Sequence, residues 1–208
     1  SATGNSLDNI LTGNSNVNTL TGGDGNDTYF VDQTTDSVVE NANQGIDTVY
    51  SSATFDLTTL VNVENLSLIG ADAINGTGNA LDNTLTGSTG NNILVGGGGK
   101  DTLAGGQGTD TLDGGTGNNV YVFTRDDGVD TIIESAGSDI LNFSGANISY
   151  TQLWFKQTGN DLEIDLIGTD NGLGKKDAIF IKDWYLSDNN KVETISSGDA
   201  YTLSSTDV

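Results

Sequence analysis

Between Gly78 and Val122 the chain repeats itself every nine residues, and no other feature constrains its fold as tightly. The stretch reads GNALDNTLT, GSTGNNILV, GGGGKDTLA, GGQGTDTLD and GGTGNNVYV, five units with no insertion between them. Each opens on Gly, carries Asp or Asn at its sixth place and a large apolar residue at its eighth. The sixth places are Asn83, Asn92, Asp101, Asp110 and Asn119; the eighth are Leu85, Leu94, Leu103, Leu112 and Tyr121. A unit this short cannot bury its apolar residue alone, so copies must stack on one another. In a triplet such as Asp101-Thr102-Leu103, a strand period of two sends Leu inward and Thr outward. The glycines that precede it supply a tight turn, because they reach φ > 0 without steric cost.

The same device opens the chain, as GNSLDNILT, GNSNVNTLT and GGDGNDTYF over residues 4–30. Both arrays end on a Tyr unit, Tyr29 and Tyr121, and both fade into glycine-poor chain that keeps the register. After Asp27 come Asp36 and then Asp47; after Asn119 come Asp130 and Asp139, and each series contains one two-residue insertion. Between the arrays, 49–55, 63–69 and 73–75 read as strands. Leu57, Leu60, Val61, Val63, Leu66, Leu68 and Ile69 are too apolar for a linker, so wider coils continuing one stack are expected there.

Composition removes several classes of function. The 208 residues carry 29 acidic and 7 basic side chains, a formal net charge of −22. Such a chain repels itself when compact and calls for cations; nucleic acid and anionic membrane surfaces are poor partners. There is no His and no Cys, which excludes Ser-His-Asp and Cys-His nucleophiles, the HExxH zinc site, disulfides and thiolate metal sites. No apolar run approaches the length that spans a bilayer. Carboxylate pairs such as Asp126-Asp127 and Glu163/Asp165 are what chance produces in so acidic a chain, so no catalytic residue is expected. The chain opens Ser1-Ala2-Thr3-Gly4 without Met, which points to a piece of a longer polypeptide.

Beyond about Ala146 the composition shifts. Lys156, Lys175, Lys176, Lys182 and Lys191 lie here, with both tryptophans, Trp154 and Trp184. Candidate strands are 152–157, 162–167, 178–182 and 192–195, and Leu162-Glu163-Ile164-Asp165-Leu166 alternates strictly. No helix longer than a turn or two is expected anywhere.

With three intact GGxGxD turns in register (Gly22–Asp27, Gly96–Asp101, Gly105–Asp110), the arrays resemble the RTX (repeats-in-toxin) haemolysin-type calcium-binding family. The pattern GNDLEIDLIGTD…DAIFIKDWY…NKVETI, over 153–201, resembles the haemolysin-type calcium-binding-related domain that often follows such arrays. The resemblance implies an all-β chain: a right-handed parallel β-roll or β-helix over 1–145, with arrays at 4–30 and 78–122, capped by a small antiparallel β region over 146–208. It also implies that two nonapeptides, about eighteen residues, make one coil, and that Ca2+ sits between same-edge turns.

Ca2+ takes about six to eight oxygen ligands, which stacked turns supply as backbone carbonyls and side-chain oxygens. Carried over residue by residue, the ligand turns are Gly22, Gly23, Asp24, Gly25 and Asp27; Gly96, Gly97, Gly99 and Asp101; Gly105, Gly106, Gly108 and Asp110; and Gly114, Gly115, Gly117 and Asn119. Asp36, Asp47 and Asp130 follow, with Asn9, Asn18, Asn83, Asn92 and Asp139 as weaker candidates. The stacked pairs implied are Asn9/Asp27, Asn18/Asp36, Asp27/Asp47, Asn83/Asp101, Asn92/Asp110, Asp101/Asn119, Asp110/Asp130 and Asn119/Asp139. An amide oxygen is a poorer calcium ligand than a carboxylate, so calcium is expected to concentrate around Asp27, Asp101 and Asp110. Asn-bearing turns have the alternative of closing by side-chain hydrogen bonds alone.

The resemblance further implies a non-catalytic, monomeric module of a larger bacterial protein, exported through a type I secretion channel and folding on calcium outside the cell. The alternative is a polysaccharide-binding module of a surface adhesin or carbohydrate-modifying enzyme. It would use Lys175, Lys176 and Lys182, with Trp154, Phe155, Phe180, Trp184 and Tyr185 as a stacking platform. The role expected first for those aromatics is a small core or a cap over the open end of the roll, since an exposed coil edge must be covered.

Overall fold

The computed structural model describes residues 1–42, 44–143, 148–167 and 177–208. The strands of the first array and of the coils after it are β1 (Ala2–Thr3), β2 (Ile10–Thr12), β3 (Thr19–Thr21), β4 (Thr28–Val31), β5 (Ser37–Val39), β6 (Thr48–Ser51), β7 (Phe55–Asp56), β8 (Asn65–Leu68) and β9 (Gly76–Thr77). The second array and its continuation give β10 (Thr84–Thr86), β11 (Ile93–Val95), β12 (Thr102–Ala104), β13 (Thr111–Asp113), β14 (Val120–Val122), β15 (Val129–Ile133) and β16 (Ile140–Asn142). The C-terminal segment adds β17 (Leu153–Thr158), β18 (Asp161–Leu166), β19 (Ala178–Ile181), β20 (Thr194–Ser196) and β21 (Thr202–Ser204). Among the described residues the only helices are three-residue 3-10 turns, Tyr150–Gln152 and Asp188–Asn190.

From β1 to β16 consecutive strands alternate between two faces, which makes a parallel β-solenoid. One face is continuous in the order β2-β4-β6-β8-β10-β12-β14-β16-β20-β21. The other is β1-β3-β5, a break, and then β7-β9-β11-β13-β15-β19-β18-β17. Register follows the repeat: Leu85 pairs with Leu103 and Leu103 with Tyr121, while Leu94 pairs with Leu112 and Leu112 with Ile132. The inward residue of each triplet is buried and its Thr or Val neighbours face outward, as in the exposed–buried–exposed triplet Thr84-Leu85-Thr86. The core is therefore a ladder one side chain wide per strand.

The segment between the arrays is not a linker. Strands β6 and β8 carry the continuous face across it, Tyr29 pairing with Val49, Val49 with Leu66 and Leu66 with Leu85. One strand is displaced from the 73–75 that the sequence pattern predicts and lies at Gly76–Thr77. The inward residue there is Gly76, where an added Cβ would meet Leu66 Cδ2 at 3.1 Å and Leu94 Cδ2 at 3.2 Å. Neighbouring leucines fill that rung, so it leaves no apolar mark in the sequence.

The C-terminal segment extends both faces before it closes them. Strand β19 adds parallel to β15, and β20 parallel to β16. The antiparallel strands β17, β18 and β21 then finish the two sheets. Trp184 is buried in the same core cluster as the roll leucines, while Trp154 is 61% exposed on the outermost strand.

Candidate metal centre

The sixth-place residues form a hydrogen-bonded column along each edge of the roll. The backbone N–H of Asn9 donates to Asp27 Oδ1 (2.6 Å), Asp27 N–H to Asp47 Oδ1 (2.8 Å) and Asp47 N–H to Glu64 Oε2 (2.9 Å). In the second array Asn83 donates to Asp101 (2.8 Å), Asp101 to Asn119 (3.0 Å), Asn119 to Asp139 (2.6 Å) and Asp139 to Glu193 (2.7 Å). The opposite edge repeats this with Asn18 to Asp36 (2.8 Å), Asn92 to Asp110 (2.7 Å) and Asp110 to Asp130 (2.9 Å). All eight pairs expected from the eighteen-residue coil are thus in contact, including Asp27/Asp47 and Asp110/Asp130 across the two-residue insertions.

Two kinds of turn hang on this column, and the residue type decides between them. In four of the five Asn units the amide oxygen reaches the second-place N–H of its own turn: Asn5 N–H to Asn9 (2.6 Å), Asn14 to Asn18 (2.5 Å), Asn79 to Asn83 (2.7 Å) and Ser88 to Asn92 (2.6 Å). The amide groups of Asn83 and Asn92 donate onward to the carbonyls of Glu64 (3.0 Å) and Ile74 (2.5 Å). These turns are closed by protein atoms alone.

The GGxGxD turns leave oxygen unsatisfied. Their second and fourth glycines adopt positive φ, as at Gly97 (106°) and Gly99 (110°), a conformation costly for any side-chain-bearing residue. Asp27, Asp101 and Asp110 are each at most 1% exposed, and their Oδ2 atoms are buried with no hydrogen-bond partner. Oδ2 folds back over the first glycine of its own turn. A Cβ placed on Gly96 would strike both Asp101 Oδ2 and the Gly114 carbonyl oxygen of the next turn. Buried carboxylate oxygens without a partner are strongly disfavoured. Oxygens from stacked turns converging on one small space are what a hard cation requires.

Burial raises the pKa of several carboxyl groups in the column. Asp101 and Asp110 are pushed up to about 6, and Asp47 to about 6. Asp130 is pushed to about 8 by burial, with Asp110, Asp127 and Asp177 adding repulsion. The ion pairs Lys156–Glu163, Lys182–Asp161 and Lys191–Asp188 all lie in the C-terminal segment, away from these carboxyls.

The repeats over residues 3–38, 77–112 and 86–121 match the RTX calcium-binding nonapeptide repeat, found in four copies. These are RTX calcium-binding repeats. The RTX roll is accordingly a Ca2+-binding β-roll module, and its buried, partnerless aspartate oxygens are of the type that calcium takes.

Asn119, in the fourth glycine-rich turn of the RTX roll, differs from the three aspartates. Its Oδ1 is held by the Asp101 N–H, so its Nδ2, buried and without an acceptor, faces Gly114 where an aspartate would place Oδ2. Asp24 is exposed and accepts from the Gln44 side chain at 2.9 Å. Four glutamates of the site were missing from the sequence reading. Glu64 and Glu193 occupy sixth places ahead of the inward residues Leu66 and Ile195, but at spacings that hide the period. Glu40 and Glu134 take the first place of a turn, where the intact repeats carry glycine, and accept the hydroxyls of Tyr29 and Tyr121. The shared signal was a Tyr unit followed eleven or thirteen residues later by Glu.

Lys175 and Lys176 of the polysaccharide reading lie outside the described residues. Lys182 is hydrogen-bonded to Asp161 at 2.8 Å, and of the aromatic group Trp184 is core.

Proposed function

We propose that this RTX roll is a non-catalytic folding module of a secreted bacterial protein, disordered where calcium is scarce and folded once Ca2+ fills turns around Asp27, Asp101 and Asp110. The observation that carries the reading is the buried, partnerless Oδ2 on each of these three residues. Without a cation each turn bears an uncompensated buried charge, which a ladder core one residue wide does little to offset. Binding free energy is then folding free energy. Glycine turns with Asn, including the one at Asn119, and the Asn-closed turns hold the stack between occupied sites. An unfolded state in low-calcium cytosol suits passage through a type I secretion channel, with folding outside stabilising the parent polypeptide. The test is circular dichroism with chelator and with millimolar-range Ca2+. A coil spectrum converting to β on calcium addition is expected, and equal β content in both conditions refutes the proposal.

A further inference from the structure

At the end of the first array, three acidic side chains meet. One carboxylate oxygen from each of Asp27, Glu40 and Asp47 lies within 4.8 Å of the others, and no other such group occurs among the described residues. Two oxygens bound to one calcium ion are at most about 5 Å apart, so the spacing of the three suits a single shared ion. Asp27 and Asp47 are 1% exposed, and Asp27 Oδ2 and Glu40 Oε2 are buried with no hydrogen-bond partner. A Cβ on Gly22 would collide with Asp27 Oδ2, Glu40 Oε1 and the Tyr29 hydroxyl together. Glycine at this position therefore lets the three oxygens close in on the turn, where a side chain would displace them.

From this geometry we infer that Asp27, Glu40 and Asp47 hold one calcium ion of a type distinct from the repeat sites, with Glu40 as a side-chain ligand where an ordinary repeat offers the backbone of a first-place glycine. The inference rests on the reading of the roll as a calcium module and adds to it a residue outside the repeat pattern. The Tyr29 hydroxyl, donating to Glu40 Oε1, orients the carboxylate. Three carboxylates face this ion, against one in the Asp101/Asn119 pair and two in Asp110/Asp130. Ligand charge count sets calcium affinity, so this site fills first as calcium rises.

The second array contains an internal control. Tyr121 donates to Glu134 as Tyr29 does to Glu40, and Asp139 stands in the place of Asp47. The sixth place, however, is Asn119, whose Nδ2 points at Gly114 where Asp27 Oδ2 points at Gly22. An N–H donor in that position repels a cation, so the Tyr121–Glu134 end holds no equivalent ion.

Calorimetric titration of the full chain with CaCl2, for the parent, Glu40→Gln and Glu134→Gln, tests this. Glu40→Gln keeps the size of the side chain and removes its charge. It is expected to abolish the tightest class of site or weaken it by about tenfold or more, with the remaining ions unchanged. Glu134→Gln is expected to keep the parental stoichiometry and tightest class. Unchanged binding in Glu40→Gln, or equal loss in both variants, overturns the assignment while leaving the roll reading intact; a parent that binds no calcium overturns both. Should Glu40→Gln not fold, Tyr29→Phe gives a second reading with Tb3+ as probe. Tyrosine-sensitised terbium emission is expected to fall on loss of Tyr29, and undiminished emission overturns the site.

Discussion

The Asp101 backbone N–H donates to Asn119 Oδ1 at 3.0 Å, and this one bond fixes which end of the Asn119 amide faces its glycine turn. Reversing the amide would set an NH2 group against an N–H donor, so Nδ2 stays turned toward Gly114 without an acceptor. Asn119→Asp keeps the bond from Asp101 and replaces that donor with a second carboxylate oxygen. One additional calcium ion per chain is expected in a titration, with lower stability in chelator than the parent. An unchanged ion count would show that the glycine turn at 114–119 cannot hold calcium whatever its sixth residue.

Asp101→Asn and Asp110→Asn move the other way. Each keeps the oxygen that accepts the N–H of Asn83 or Asn92, and each removes a buried charge that only a cation satisfies. In chelator these variants should be more stable than the parent by about 1–3 kcal/mol, the cost of an unsatisfied buried group. In saturating calcium they should be less stable and bind one ion fewer. Thermal melts in the two conditions measure both. Destabilisation in chelator would show that the aspartates are satisfied without metal.

Much of this was legible in the sequence because the repeat ties three signals to one period. Gly at the first place, Asp or Asn at the sixth and Leu at the eighth mark turn, column and core together, and the RTX resemblance, which implies two units per coil, gave the eight stacked pairs. The pairs across the insertions held because the extra residues lie within turns, as around Gly45 and Gly128, which leaves Thr48 and Thr131 in register with Thr28 and Thr111. Glu64 and Glu193 were hidden by coils of other lengths that keep the column but lose the spacing. Glu40 and Glu134 were hidden by chemistry, since a glutamate in a glycine place reads as a lapse of the repeat. The orientation of the Asn119 amide is set by a residue in another coil, which no local pattern records.

Leu103 stacks between Leu85 and Tyr121 and is fully buried. In a solenoid each rung is supported only by its neighbours, so Leu103→Ala opens a cavity the stack cannot close from elsewhere. A loss of about 2–5 kcal/mol is expected, read from denaturant unfolding in saturating calcium. Because the calcium turns are untouched, the ion count at low temperature should stay at the parental value. A loss of ions at full folding would mean that core packing, and not the column of sixth-place residues, sets the turn geometry.

Protons and calcium compete for the same oxygens, so pH acts with opposite signs on the two forms. Burial raises Asp47, Asp101 and Asp110 to about 6, Glu40 to about 7, and Asp130 and Glu134 to about 8, whereas in the unfolded chain such groups titrate near 4 (about 3.9 for Asp and 4.3 for Glu). Between those limits the calcium-free fold binds more protons than the unfolded chain. Its stability is therefore fullest below about pH 4 and falls as pH rises through about 6 to 8. The calcium-bound fold needs the ligands ionised, so calcium affinity rises over the same interval and binding expels protons. In chelator, β structure is expected near pH 4–5 and loss of it by pH 8, where calcium restores it. Titration at pH 6 in buffers of different ionisation enthalpy should report net proton release. Chelator-treated protein that gains stability as pH rises from 5 to 8 would reverse the predicted sign, and would mean that the sixth-place carboxyls ionise more readily in the calcium-free fold than in the unfolded chain.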